Sequence, residues 1–249
     1  MILNNPRIPL IATFTDFGVI GPYLGQMSAV LATQAPHIPQ VTLMADAPMF
    51  DPQSAGCLLS FLCKDLPPHA LILAVVDPGV GGSRRPLMIK TDKHLFVGPD
   101  NSLFLPVIRR FGESEIEAIE WRPQRLSSTF HGRDLFAPVA AKLATGERVE
   151  GSRIAPQEMI GYGLPIQDNR IIYIDRYGNA MTAIDVADIG RDTVLSVNGS
   201  ALHFARTFSE VPEGRPFWYG NSMGMVEIAV NRGSAASLLS LELGMPLHL

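Results

Sequence analysis

Apolar residues fall in two rhythms along the chain. Through the first two-thirds, short β-rich runs alternate with stretches at helical spacing. Residues 8–15 predict a strand ending in Asp16-Phe17-Gly18. Pro22 then opens a helical stretch to about Ala35, at a first-turn position where a missing N–H costs nothing. Residues 41–45 predict a second strand. Residues 52–65 predict a second helix, because Ala55, Leu58, Leu59 and Leu62 follow the 3.6-residue period. Residues 70–76 are apolar without alternation, which suits a central strand covered on both faces. Residues 87–90 and 94–98 predict a hairpin turned by Thr91-Asp92-Lys93, and 132–143 predict a further helix. Strand–helix alternation of this kind predicts an α/β layer with a mostly parallel sheet.

The rhythm changes over 151–169, where Gly, Pro and polar residues follow no clear period. The expected organisation is therefore an N-terminal α/β domain over 1–155, a linker over 156–169 and a C-terminal domain over 170–249. In the last of these, 170–174, 193–197, 202–208 and 225–230 are short β-like runs separated by turn signals such as Asn198-Gly199. That pattern predicts a small all-β barrel or sandwich.

Composition narrows the class. The 249 residues are 47% hydrophobic and 18% charged, and a chain of this size buries roughly 70–75% of its unfolded surface without a disulfide or metal staple. Twenty Lys+Arg against 24 Asp+Glu give a net charge of −4 with the arginines scattered, so a nucleic-acid footprint is not expected. The start MILNNPRIPLIATF lacks the charged, apolar and small-residue regions of a signal peptide, and no apolar run approaches the roughly 20 residues that span a bilayer. Cys57 and Cys63 have no histidines at ligand spacing and read as buried thiols. A cytoplasmic protein without membrane or metal partners is expected.

Candidate chemistry gathers at strand ends, where open α/β sheets bind ligands. Asp16 in TFTDFG and Asp77 in VVDPGVGGSRR both follow predicted strands. Each has a plain alternative as a turn-former whose side chain bonds the following backbone. Around Asp77, Gly79, Gly81 and Gly82 permit close backbone approach and Arg84-Arg85 follow, which also admits a phosphate cradle. His131, in Ser127-Ser128-Thr129-Phe130-His131-Gly132-Arg133-Asp134, is the one histidine with functional-looking neighbours. The alternative there is a helix-capping cluster with Arg133–Asp134 as a structural ion pair. Asp175–Asn179 and Trp218–Ser222 carry more polar residues than turns require, although each alone fits a hairpin turn. GxGxxG, the P-loop and GxSxG are all absent.

Taken in order, TDFG, VVDPGVGGSRR, PDN at 99–101, STFHGRDLFAP, DRYGN and NSMG resemble the S-adenosylmethionine (SAM) hydroxide adenosyltransferases, relatives of the fluorinase and chlorinase. The resemblance implies an α/β domain followed by a β-barrel. It implies a homotrimer with the site at the subunit interface, and hydrolysis of SAM to adenosine and methionine with no cofactor. It places a water-holding triad on Asp77, Arg84 and His131 and a ribose-binding carboxylate on Asp16. Methionine-end contacts fall on Asp175 and Ser222, and the adenine-side amide on Asn179. Halogenating relatives are expected to carry tyrosine at His131 and to lack the Asp–Arg pair, which favours water as nucleophile.

This sequence departs from the family pattern at Ser102 in PDNG. Tyr177 and Ala183 depart in FGN-x-x-TN, and Met223 stands where the fluorinase has arginine. A non-catalytic SAM or adenosine sensor, a SAM-dependent halogenase and a phosphate-ester site over 79–85 are the competing readings.

Overall fold

The computed structural model describes residues 7–112, 114–165 and 169–249. Two compact units divide the chain, Met1–Leu164 and Pro165–Leu249. Of the expected linker, residues 166–168 lie outside the described residues, and Pro156–Glu158 forms a 3-10 turn.

The first unit runs β1 (Ile11–Thr15), α1 (Pro22–Gln34), β2 (Gln40–Met44), α2 (Pro52–Leu62), β3 (Leu71–Val75), β4 (Pro86–Thr91), β5 (Leu95–Pro99), α3 (Leu105–Phe111), β6 (Ser114–Ile119), α4 (Ala137–Ala144) and β7 (Gly151–Arg153). Its seven strands form one sheet in the order β2-β1-β3-β5-β4-β6-β7. The first half of that sheet is parallel: β1 pairs β2 and β3, and β3 pairs β5. The second half is antiparallel, β4 lying between β5 and β6, with β7 beyond. The expectation of a mostly parallel sheet is thus corrected to a mixed one.

The cause is the β4–β5 hairpin. The Thr91 N–H donates to the His94 carbonyl at 2.9 Å, and Thr91 Oγ1 accepts from the N–H groups of Lys93 and His94. A connection that short cannot carry a parallel crossover.

Apolar residues fill both faces of the sheet. Ile11, Leu71, Leu73 and Val97 meet Met27, Leu31, Phe136 and Val139 on one side. Ala12, Phe14, Ile72 and Phe96 meet Ala55, Leu59, Phe104 and Val107 on the other. All five residues of β3 are buried, which is why its sequence shows no alternation. At the start of α2 the Asp51 carboxylate accepts from the Ser54 N–H at 3.1 Å and caps the helix.

The second unit contains β8 (Ile171–Ile174), β9 (Ala180–Asp185), β10 (Leu195–Val197), β11 (Ser200–Leu202), β12 (Pro216–Gly220), β13 (Met225–Val230) and α5 (Ala235–Leu239). It forms an antiparallel four-stranded sheet, β12-β13-β9-β8, and a β10–β11 hairpin. Asn198 and Gly199, at φ 48° and 74°, turn that hairpin. The expected strand over 202–208 does not form: only Leu202 lies in a strand, as the last residue of β11, and a 3-10 turn occupies Phe208–Glu210. Trp218 is fully buried against Val226 and Ile228, with its indole N–H donating to the Thr193 carbonyl at 2.9 Å.

Candidate active site

In the first unit, Thr15 of β1 and Val75 of β3 are register partners in adjacent parallel strands. Asp16 and Asp77 therefore leave the sheet at the same edge. Between Asp77 and Arg84 the chain turns through Gly79, Gly81 and Gly82, with Gly81 at φ 80°. His131 comes from the opposite direction in sequence. It stands at the head of a π-helical turn, Gly132–Phe136, which runs into α4. Such turns re-aim side chains out of an otherwise regular helix.

These segments bring three side chains into contact. Arg84 Nε donates to both Asp77 carboxylate oxygens at 3.0 Å, and its Nη2 also donates to Oδ2. The same Nη2 lies 2.8 Å from His131 Nδ1. Guanidinium has no acceptor atom, so Nδ1 accepts and a neutral His131 carries its proton on Nε2; the tautomer is assigned from this contact. The Arg84 and Asp77 side chains are 7% and 4% exposed, and the guanidinium lies 5.3 Å from the centre of the Phe136 ring. A desolvated pair of this kind holds its geometry firmly.

Burial, followed by the Arg84 charge, holds the His131 pKa below the ordinary imidazole value. Asp16 is pushed the other way, mainly by burial, with the neighbouring Asp77 charge adding to it. A cavity of about 120 Å³ is lined by Asp16, Asp77 and His131 together with Phe17, Phe50 and Phe130. It has room for a few water molecules beside apolar walls.

The capping reading for His131 does not describe this site, since its side chain makes no cap bond to the turn that follows. The structural ion pair is present beside it. Arg133 donates to Asp134 at 2.6 and 3.0 Å and to Gln26 at 2.8 Å, while Asp134 accepts from the Ser127 N–H.

In the second unit, Asp175, Asn179 and Ser222 line a cavity of about 670 Å³. Asp175 Oδ1 accepts from the backbone N–H groups of Tyr177 and Asn179, both at 2.9 Å, and Oδ2 accepts from the Asn179 amide at 3.2 Å. These bonds are those of the turn reading. Ser222 is exposed at the tip of the turn after β12.

Family models for the SAM hydroxide adenosyltransferase N-terminal and C-terminal domains match residues 11–153 and 169–248. The chain belongs to the SAM hydroxide adenosyltransferase family. It is 39% identical to an (R)-S-adenosyl-L-methionine hydrolase of Thermus thermophilus over 94% of this chain and 97% of the relative. A fluorinase of Nocardia brasiliensis is 22% identical, covering 98% of each chain. A solved structure from Thermotoga maritima superposes with a TM-score of 0.85 at 32% identity, covering 96% of this chain and 99% of that one.

Sequence reasoning passed over several residues at or beside the two cavities. Phe17, Tyr23 and Phe130 form a cluster of edge-on rings with centroids 5.1–6.1 Å apart. In the second unit Glu227 is 2% exposed and accepts from the Tyr219 hydroxyl at 2.6 Å and the Asn221 amide at 2.8 Å. Burial pushes its carboxyl pKa up. The available signal was a single acid inside the apolar run MVEIAV. Among the described residues, no helix is long and apolar enough to cross a membrane, and no group of three His, Cys, Asp or Glu side chains could hold a metal.

Proposed function

We propose that the chain hydrolyses S-adenosyl-L-methionine to adenosine and L-methionine. Water attacks C5′ in line, the C5′–S bond breaks, and sulfur keeps the electron pair as it leaves in a neutral thioether. One proton is released. No acid is needed at the leaving group, so the site must orient a water, exclude other geometries and accept that proton.

Asp77, Arg84 and His131 are assigned to the water, and Asp16 to the ribose diol, where a carboxylate offers two acceptor oxygens. With Arg84 donating to Nδ1, His131 meets the water through Nε2–H. Arg84 supplies positive charge for the developing hydroxide; with both imidazole nitrogens engaged, Asp77, the anion lining the cavity beside it, takes the released proton. Asp175 and Ser222 are assigned to the methionine end and Asn179 to the adenine.

Membership of the family, with the Asp77–Arg84–His131 contact intact, is the observation that carries this reading. The wider reading is a cytoplasmic homotrimer using no cofactor, whose sites lie at subunit interfaces. A barrel completes the second unit, supported by single bridges Arg170–Pro246, Ser196–His248 and Phe204–Trp218 between its sheet, hairpin and tail. The names of the hydrolase relatives point to the R configuration at sulfur as the epimer consumed.

The test is chromatography of products from both sulfonium epimers, with and without excess chloride or fluoride. Equal adenosine and methionine, indifferent to halide and faster from the R epimer, is the expected result. A halogenated nucleoside would overturn the nucleophile. His131→Ala is expected to keep SAM binding and lose at least about 100-fold in turnover; undiminished turnover would remove His131 from the mechanism.

A further inference from the structure

The Pro99-Asp100-Asn101 segment does not line the cavity described above, yet it holds both ends of the loop that carries Asp77 and Arg84. At the leading end, Asn101 Nδ2 donates to the carbonyl of Val76 at 2.9 Å, one residue before Asp77. At the trailing end, one residue after Arg84, the Asp100 N–H donates to the Arg85 carbonyl at 2.9 Å. Arg85 then returns the contact, its Nε and Nη2 donating to Asp100 Oδ2 at 3.0 and 2.8 Å.

The clamp is itself fixed. Asp100 is fully buried, and its other oxygen accepts from the Ile160 N–H at 2.9 Å. Ser102, directly after Asn101, holds the left-handed φ of 77° at the place where the family pattern has glycine. Adjacent arginines thus do different work: Arg85 is tied down by Asp100 while Arg84 reaches Asp77 and His131.

We infer that Asp100 and Asn101 are positioning residues for the reaction, fastening Val76 and Arg85 so that the Asp77–Arg84 pair is presented to His131 at a fixed distance. A loop of three glycines could not hold that distance by itself. A misplacement of about 1 Å in a reacting group can cost on the order of 100-fold in rate. The inference rests on the roles proposed for Asp77, Arg84 and His131, and its test separates the two.

Asn101→Ala removes the donor to Val76, and Asn101→Asp removes it at nearly constant volume. Leu59→Val, in the core on α2, serves as a structural comparison. His131 is titrated by NMR in each protein, and kcat and KM for SAM are measured per folded molecule. Both Asn101 variants are expected to raise the His131 pKa toward the free value as Arg84 withdraws from Nδ1. Their kcat is expected to fall 10- to 100-fold with KM changed less than about threefold. Leu59→Val is expected to move neither quantity. An unchanged His131 titration and kcat in both Asn101 variants would overturn the clamp. A wild type that binds SAM without turnover would overturn the hydrolase reading instead, and the His131 titration would still decide the clamp.

Discussion

His131 is governed by what surrounds it. Arg84 and Arg122 disfavour its protonated form, Asp77 and Asp134 favour it, and burial outweighs each of them. The net effect is a lowered pKa, so the ring stays neutral further into acid than a free imidazole of about 6.5. Protonation would place an N–H on Nδ1 against Arg84 Nη2 and break the contact. The acid limb of kcat is therefore expected below pH 6.5, with activity lost as pH falls through it; a limb at or above 6.5 in a pH–rate profile would contradict this arrangement. The residue types themselves were legible: two aspartates at strand ends, an arginine after a glycine loop, a histidine at a helix start. Their meeting was not. Forty-seven residues separate Arg84 from His131, and no periodicity links them. Glu227 stayed hidden for a different reason, since an acid in an apolar strand reads as an exception until its partners Tyr219 and Asn221 are seen around it.

Elements carry the site only where two of them cross at close quarters. Gly81 is such a crossing. Its φ of 80° belongs to the left-handed region, and a Cβ there would collide with the Ser128 carbonyl of the segment leading to His131. Gly81→Ala is expected to lower stability by about 1–3 kcal/mol in denaturant unfolding and to lower kcat in the fraction that remains folded. Full activity per folded molecule would mean that the two segments are not coupled. Among the elements, the β4–β5 hairpin was readable because its turn is only three residues long. The long helix predicted from Gly132 was readable in place but not in form, since the π-helical opening leaves no mark on the apolar spacing. β9 was missed because its AMTAID run follows Tyr177-Gly178-Asn179 at once, and the turn signal masks the strand start. α3, β6 and β7 are short, and their few apolar positions fit no period for long enough to be seen.

At the scale of the whole molecule, the proposed roles split cleanly. Asp16, Asp77, Arg84 and His131 belong to the unit Met1–Leu164, and Asp175, Asn179 and Ser222 to Pro165–Leu249. The proposed homotrimer, with each site built from the first unit of one subunit and the second unit of the next, makes a prediction that a site within one chain does not. Asp77→Asn inactivates only the first kind of half-site, and Asp175→Ala only the second. When both variants are co-expressed with different tags, a mixed trimer contains one interface whose two halves are both intact. Random assembly in equal amounts makes about three-quarters of the trimers mixed, each with one working site in three, so about a quarter of wild-type activity is expected from two inactive parents. Ultracentrifugation should give a mass near three times the 27.1 kDa chain. If each site were completed within a single chain, the mixture would stay as inactive as its parents, because no subunit would own both halves. Recovered activity that sediments only with doubly tagged trimers would fix the shared site to the subunit boundary.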